Sequence, residues 1–515
     1  MWNIIKITFI ISYTYVSILI SNFIFKNIIK HFIKETPNSL NSPENTNNAN
    51  SLSLVIGENS NNSQIKISES GLYQNFLITG TIGSGKTSSA MYPFTEQLIK
   101  YNSAHPNDKI GMLILDVKGN YYSQVQKYAE KYNLSDDLIV IELNSNVKYN
   151  PLHKPNLRPQ VLSNRLRTIL ELFSENNQES YWLDTAEHII SESIKLCRLY
   201  NNGYVTFDEL HKLISSPEYY KEKVTYLRNL FMQSKFSTKE IYDLNTSLDF
   251  FQKEFYSLDQ RTFSILKSEI SRITNVFISD FDIRQTFSPA ESELNFDGFS
   301  EVINKGKMVV LNMNISEYRN LSKIIAAYLK LDFQTEIMMN LSRNNIHKTA
   351  FICDEYSEYA TKLDSNFFSL SREAKCINII STQSYTSLKN ALHDENSAKV
   401  IIQNLINKLW FRTDDIFTIE EAQKQLGKEE KSKISTSISE NAKSTDFSYI
   451  TNSLNSQDSS ISETYNTYTQ NDFIYDTNFF TQNLETFQCL AFLSNGTSIL
   501  PPCKIQTIPY FLQKQ

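Results

Sequence analysis

Gly80-Thr81-Ile82-Gly83-Ser84-Gly85-Lys86-Thr87-Ser88 sets a glycine, with four residues between, ahead of a Gly-Lys-Thr triplet. A loop of this composition can turn several backbone N–H groups onto one anion, and a helix that starts at its end adds partial positive charge. Lys86 is spaced to reach the β- and γ-phosphates of a nucleotide, and the Thr87 hydroxyl to ligate Mg²⁺. The chemistry this run can do is to hold a nucleoside triphosphate, with residues 80–88 as its cradle and Lys86 as its catalytic cation.

Hydrolysis needs an acidic partner, and two stretches offer one. "MLILDVKGN" (Met112–Asn120) ends an apolar run at Asp116 with D-x-x-G spacing, and "KTAFICDEYSEYA" (Lys348–Ala360) ends one at Asp354-Glu355. A GTPase reading of Asp116 requires an N-K-x-D guanine reader, and Asn304-Lys305 and Asn407-Lys408 are each followed by other residues. The adjacent pair is the better partner: Asp354 can complete the Mg²⁺ shell while Glu355 polarises the attacking water. That assignment makes the ligands ATP and Mg²⁺. Asp116 reads as a second strand end beside the phosphate loop. Further along, "CINIIST" stops at Gln383, a polar residue able to sense the γ-phosphate. Arg372, at a helix end just upstream, is a candidate for stabilising the charge that develops in phosphoryl transfer, supplied to a neighbouring subunit.

These residues need rigid elements beneath them. Phe76–Thr79 precedes the glycine loop as an apolar strand and a helix-competent segment follows, the context such a loop requires. Strands ending at Asp116, at Asp354 and at Gln383 would bring their polar tips to the carboxyl edge of one sheet, where open α/β sheets bind ligands. Between Pro159 and Pro289 the pattern changes. "VLSNRLRTILELF" and "SILKSEISRITNVF" carry apolar residues at three- and four-residue spacing, so this region is expected to be helical, with Tyr181 and Trp182 in its core. "KGKMVVLNMN" (Lys305–Asn314) then resumes strand character and the helix-like "LSKIIAAYLKLDFQTEIMMNL" restores the α/β pattern.

Composition limits the partners. The 515-residue chain has 50 basic and 56 acidic side chains, a formal charge of −6, so any nucleic-acid contact must be local to a groove or pore. Five scattered cysteines without C-x-x-C, and seven histidines without metal spacing, exclude a disulfide framework and a zinc site. Ile7–Phe25 holds no charged residue, and 19 helical residues span roughly 28 Å, close to the thickness of a bilayer core. Lys26, Lys30 and Lys34 after the span, against Lys6 before it, put the remaining chain on the cytoplasmic side. Asn-, Ser- and Pro-rich residues then read as a tether, and Lys431–Gln470 as a polar surface loop or disordered run.

Taken together, these motifs resemble the type IV secretion coupling proteins, membrane-anchored relatives of the FtsK and HerA translocases. The resemblance runs from about Ile65 to Tyr510. It rests on the phosphate loop followed by "MYPF", on "ILDVKGN" where the family has D-P-K-G-E, and on "KYNPL", "SYWLDTAEHII", "CDEY", "SREAKCINIISTQSYTSL", "LWFRTDDIFTIEEAQKQLGKEE" and "PPCKIQTIPY". Val117 and Asn120 depart from the family's proline and glutamate, and one span stands where many relatives have two.

The resemblance implies a RecA-like P-loop NTPase fold with a mostly parallel central sheet, an inserted all-α domain and an N-terminal transmembrane helix. The expected layout is anchor 1–34, flexible linker 35–62, nucleotide-binding domain 63–158 and 296–515 around an all-α insertion 159–295, with the polar loop at about 431–470. It further implies a homo-hexamer at the cytoplasmic membrane. That ring would hydrolyse ATP to pass single-stranded, relaxase-bound DNA, without regard to sequence, to the channel proteins of a type IV secretion system. Two alternatives stay open: a chromosome or plasmid translocase, and a non-hydrolytic receptor that docks substrates to a channel.

Overall fold

A computed structural model describes residues 51–173, 180–233, 236–441, 445–448, 453–456 and 460–512. Its frame is one 11-stranded sheet. In chain order the strands are β1 (Ser53–Asn59), β2 (Gln64–Ser68), β3 (Phe76–Thr79), β4 (Gly111–Leu115), β5 (Leu138–Ile141), β6 (Met308–Leu311), β7 (Thr349–Cys353), β8 (Cys376–Thr382) and β9 (Asn407–Phe411), then β10 (Lys428–Asn441), β11 (Thr445–Ser448), β12 (Ser453–Ser456), β13 (Ser460–Phe473), β14 (Gln488–Phe492) and β15 (Cys503–Gln506). The order across the sheet is β2-β1-β15-β14-β9-β3-β8-β7-β4-β6-β5.

From β9 to β5 the neighbours run parallel, and from β9 through β14 and β15 to β1 and β2 they run antiparallel. The parallel part follows from composition. β3, β4, β6, β7, β8 and β9 are buried at every residue, because helices cover both faces and leave no solvated side to alternate toward. Successive side chains still point to opposite faces. Met112 and Ile114 of β4 join one core, with Phe94, Leu98 and Val125 from the helices Tyr92–Ala104 and Tyr121–Lys131. Leu113 and Leu115 join the other, beneath the helix Asn320–Ser342.

Between β5 and β6 the only regular elements of the described chain are helices, from Pro159–Leu172 to Phe299–Lys305, and these share the second core with the sheet. A buried ionic cluster ties them to it. Asp332, on the helix Asn320–Ser342, accepts Arg165 Nη1 at 2.7 Å and Tyr149 Oη at 2.5 Å, with Lys154 Nζ at 3.0 Å. Burial alone would raise the Asp332 pKa, but the two cations hold it below the usual carboxylate range. Trp182 packs against this core, whereas Tyr181, expected there too, is 55 % exposed.

Two stretches expected to be unstructured are strands. The linker assigned to residues 35–62 contains β1, whose alternating Leu54 and Ile56 are buried and which pairs with both β2 and β15. The polar loop assigned to residues 431–470 is mostly a long antiparallel ribbon. β10 and β13 pair from Lys428↔Phe473 to Asn441↔Ser460, with β11 paired to β12 between them. Ile434, Thr436 and Ile438 stand opposite Thr467, Tyr465 and Glu463 on one face of the ribbon, so β-branched and aromatic residues supply strand propensity that the serine-rich composition hides. The expected anchor, residues 1–34, lies outside the described residues. Among the described residues no helix is long and apolar enough to cross a membrane.

Candidate nucleotide-binding site

The loop leaves β3 at Gly80. A Cβ there would lie 2.6 Å from the Phe411 Cβ, so only glycine lets the loop pass β9. Gly83 and Gly85 take φ of +79° and +100°, conformations that strain any L side chain. Thr81 fastens the loop's first half to β9, its N–H and hydroxyl donating to the Arg412 carbonyl at 2.9 and 3.1 Å. Lys86 Nζ lies inside the loop and donates to the carbonyls of Gly80 at 2.5 Å and Thr81 at 3.2 Å. Burial is the largest influence on Lys86 and lowers its pKa from the ordinary lysine range, while Glu355 and Asp354 pull the other way. Thr87–Met91 then winds as a π-helix before Tyr92–Ala104 begins.

Two strands over, β7 delivers the acidic pair. Asp354 is 1 % exposed and accepts the Thr87 hydroxyl at 2.7 Å, joining the loop to the carboxylate. Ser381 of β8 donates its hydroxyl to the other Asp354 oxygen, which also takes the Glu355 N–H at 3.1 Å. Glu355 sits in the left-handed region at φ +51°, ψ +47°, a strained position that turns the chain sharply after the strand. β8 runs between β3 and β7 with Thr79↔Thr382 and Cys353↔Ile380 in register, so Gln383 comes out at the rim between loop and carboxylates. Its side chain is exposed.

Asp116 has a different task. Its strand, β4, is not beside β3 but separated from it by β8 and β7. The carboxylate accepts the backbone N–H groups of Lys118, Asn120 and Tyr121 at 3.1, 3.0 and 3.2 Å, so the D-x-x-G spacing closes a turn instead of sensing a γ-phosphate. Burial, with the nearby Asp354 carboxylate, still raises its pKa above the usual range. The turn carries Lys118 to 3.4 Å from Glu355 Oε1.

The donor set suits Mg²⁺ and polyphosphate. A hydroxyl and a buried carboxylate already in contact are hard oxygen ligands. Among the described residues no group of three or more His, Cys, Asp or Glu could hold a metal alone. A cation at Thr87 and Asp354 would therefore draw its remaining ligands from phosphate and water, as Mg²⁺ usually does.

Residues 60–464 match the family model of the type IV secretion-system coupling protein DNA-binding domain. The chain belongs to the type IV secretion coupling proteins. No curated protein is detectably similar to it in sequence. Among solved structures, the unbound bacterial conjugative coupling protein TrwB is 12 % identical, with TM-score 0.55 and coverage of 86 % of this chain and 87 % of that one. TrwB bound to ADP and Mg²⁺ gives TM-score 0.53 at 12 % identity over 86 % and 87 %. VirB4 of Thermoanaerobacter pseudethanolicus gives 0.50 at 13 % identity over 89 % and 98 %. At such identities the likeness shows a shared α/β fold built on a large, mostly parallel sheet.

In this coupling protein Arg372 stands apart from the other site residues. It precedes β8, at the sheet edge opposite the phosphate loop, is exposed, and donates to the Gly496 carbonyl at 3.1 Å. Sequence reasoning missed Lys118 and Ser381. The signal for Lys118 was a lysine two residues beyond a strand-ending aspartate and next to a turn-forming glycine. For Ser381 it was a hydroxyl near the end of the strand before Gln383.

Lys118 adds charge and orientation to Glu355 while its own side chain is 56 % exposed, so its ion pair contributes little to stability. Lys118→Ala is expected to lower the turnover number for ATP by up to about 10²-fold, the low end of what losing one electrostatic contact in a transition state costs, because Lys118 is half exposed and acts through Glu355. The melting temperature should not change, and steady-state phosphate release beside a thermal melt separates the two effects.

Proposed function

We propose that this chain is the ATP-hydrolysing motor of a conjugative type IV secretion system, anchored in the cytoplasmic membrane and assembled as a hexamer on single-stranded, relaxase-bound DNA. The observation that carries the proposal is the convergence of Lys86, Thr87, Asp354 and Glu355 on one sheet edge, in a chain of the coupling-protein family. That TrwB binds ADP with Mg²⁺, and non-hydrolysable analogues of ATP and GTP, supports ATP and Mg²⁺ as the ligands here. The loop N–H groups and Lys86 would hold the phosphates, and Thr87 and Asp354 the Mg²⁺, which would neutralise charge on the β- and γ-oxygens. Glu355 would take a proton from water as its oxygen bonds to the γ-phosphorus and the bond to the β–γ bridging oxygen breaks. Gln383, at the rim, would report whether the γ-phosphate is present. DNA would be gripped through its phosphates, which makes transport independent of sequence.

ATP hydrolysis by the full chain in detergent, measured with and without single-stranded DNA, tests the proposal. Hydrolysis stimulated by DNA and abolished by Lys86→Ala is the expected result. Nucleotide binding without turnover would favour the docking-receptor alternative.

The position of Arg372 gives a second test. An arginine at the sheet edge away from its own phosphate loop could act only on a neighbour's nucleotide. Lys86→Ala and Arg372→Ala chains should each be inactive alone and regain a measurable fraction of activity when mixed, because some interfaces then pair an intact Lys86 with an intact Arg372. Mixed rings as inactive as either parent would remove Arg372 from the catalytic set.

A further inference from the structure

Two segments distant in sequence are fastened to the outer flank of the phosphate loop. The Phe487 N–H donates to the Ser84 carbonyl at 3.1 Å and the Tyr510 N–H to the Ser88 carbonyl at 2.9 Å. Thr507 joins the two segments: its N–H and hydroxyl each donate to the Phe487 carbonyl at 2.8 Å, and its hydroxyl oxygen is 2.6 Å from that of Ser89. The Phe487 ring lies over Gly85, where a Cβ would come within 2.5 Å of it, and Phe487 itself takes φ of +66°, which no phenylalanine adopts without cost.

These anchors support a continuous aromatic array. Phe487 meets Phe511 at 6.1 Å, Phe511 meets Tyr510 at 5.4 Å, and Tyr510 meets Tyr92 at 5.3 Å, all steeply inclined. Phe511 is 58 % exposed and Tyr510 36 %. Scattered exposed apolar residues are ordinary on a protein surface, but rings grouped within one residue's reach of a phosphate cradle mark a ligand surface. The other flanks of the loop are taken. Thr81 is bonded to β9 on one side, and Thr87 faces Asp354 on another. The flank at Ser84–Ser88 is left for whatever is attached to the phosphates.

We propose that Phe487, Tyr510 and Phe511 form the seat of the nucleotide's base. The proposal rests on the reading of residues 80–87 as a phosphate cradle and adds where the nucleoside goes. Stacking uses the π-face that every base has, so the array holds purines with little preference between adenine and guanine.

The test uses the full chain in detergent and titration calorimetry with three probes, each with Mg²⁺: ADP, GDP and inorganic pyrophosphate. The wild-type protein should bind both nucleotides at least tenfold more tightly than pyrophosphate, and ADP and GDP within a few-fold of each other. In Tyr510→Ala/Phe511→Ala, both nucleotides should weaken on the order of tenfold or more while pyrophosphate is unaffected. Phe511→Trp should keep nucleotide affinity, with indole fluorescence that responds to ADP and not to pyrophosphate. Unchanged ADP affinity in the double variant would overturn the proposal. So would equal weakening of ADP and pyrophosphate, which would make the array a prop for the loop, and so would a change in sedimentation with unaltered ADP affinity, which would make it a contact between copies. If wild-type protein bound none of the three probes, or Lys86→Ala bound them all normally, the phosphate cradle itself would be wrong, a result distinct from the others.

Discussion

Glu355→Gln is expected to reduce the turnover number for ATP by about 10²- to 10⁴-fold, the range supplied by a positioned general base. Binding should survive, because the amide keeps the shape of the carboxylate and Glu355 shares no hydrogen bond with the loop. Its N–H bonds, to Asp354 Oδ1 and the Ser381 hydroxyl, belong to the backbone and are untouched by the substitution. The change also removes one negative charge near the bound phosphates and frees Lys118 from its 3.4 Å partner, so nucleotide affinity should hold or rise. Lys86→Ala should behave differently. Lys86 is the buried cation inside the cradle, and losing it should weaken binding and turnover together. Nucleotide titration and steady-state phosphate release on the two variants would show the split. Turnover near the wild-type rate in Glu355→Gln would mean that another group activates the water.

The contrast between loop and partner residues explains how much of this was legible in the sequence. The cradle from Gly80 to Ser88 is contiguous, and its glycines and Lys86 act within one turn of chain, so a short string of letters specifies it. The parallel strands were legible too, because burial on both faces writes itself as unbroken apolar runs such as "FLIT" and "GMLIL". Contacts set by strand order were not. Lys118 and Glu355 are 237 residues apart and Ser381 and Asp354 are 27 apart, and each pair meets only because β4, β7 and β8 are neighbours. At the antiparallel edge β1 forms a local hairpin with β2, and what the sequence hides is only that β15, from the far end of the chain, joins this hairpin to the sheet through Glu58↔Gln506 and Asn59↔Ile505. The serine-rich ribbon failed for another reason. Its backbone is satisfied by pairing with itself, so it needs no hydrophobic face of the kind that marks a strand. Arg372 lies in the turn that follows the helix Asp364–Leu370, and the target of an exposed arginine is not written in one chain's sequence.

The largest effect on stability should come from a pair that touches no ligand. Lys330, on the helix Asn320–Ser342, and Asp364 are both fully buried, with Nζ 2.5 Å from Oδ2. Burial lowers the pKa of Lys330 and Asp364 opposes that shift. Asp364 also accepts the Tyr356 hydroxyl at 2.5 Å, the Thr361 N–H at 2.8 Å and Gln334 Nε2 at 3.0 Å, and Lys330 donates to the Tyr359 carbonyl at 2.6 Å. Tyr356 follows Glu355 directly, so this cluster holds the strained turn that carries the Glu355 carboxylate. Asp364→Ala leaves a buried ammonium without its counter-charge and is expected to cost about 3–5 kcal/mol, seen as a lower thermal midpoint. Replacing both partners with apolar residues, Lys330→Met with Asp364→Leu, removes the uncompensated charge and should recover part of that loss, the Thr361 N–H and the Gln334 amide still lacking their acceptor. It does not restore the anchor for Tyr356. The double variant should therefore melt above Asp364→Ala yet hydrolyse ATP more slowly than wild type, with nucleotide affinity unchanged. If it regained both stability and full turnover, the cluster would be packing alone, and the position of Glu355 would be fixed by Ser381 and β8.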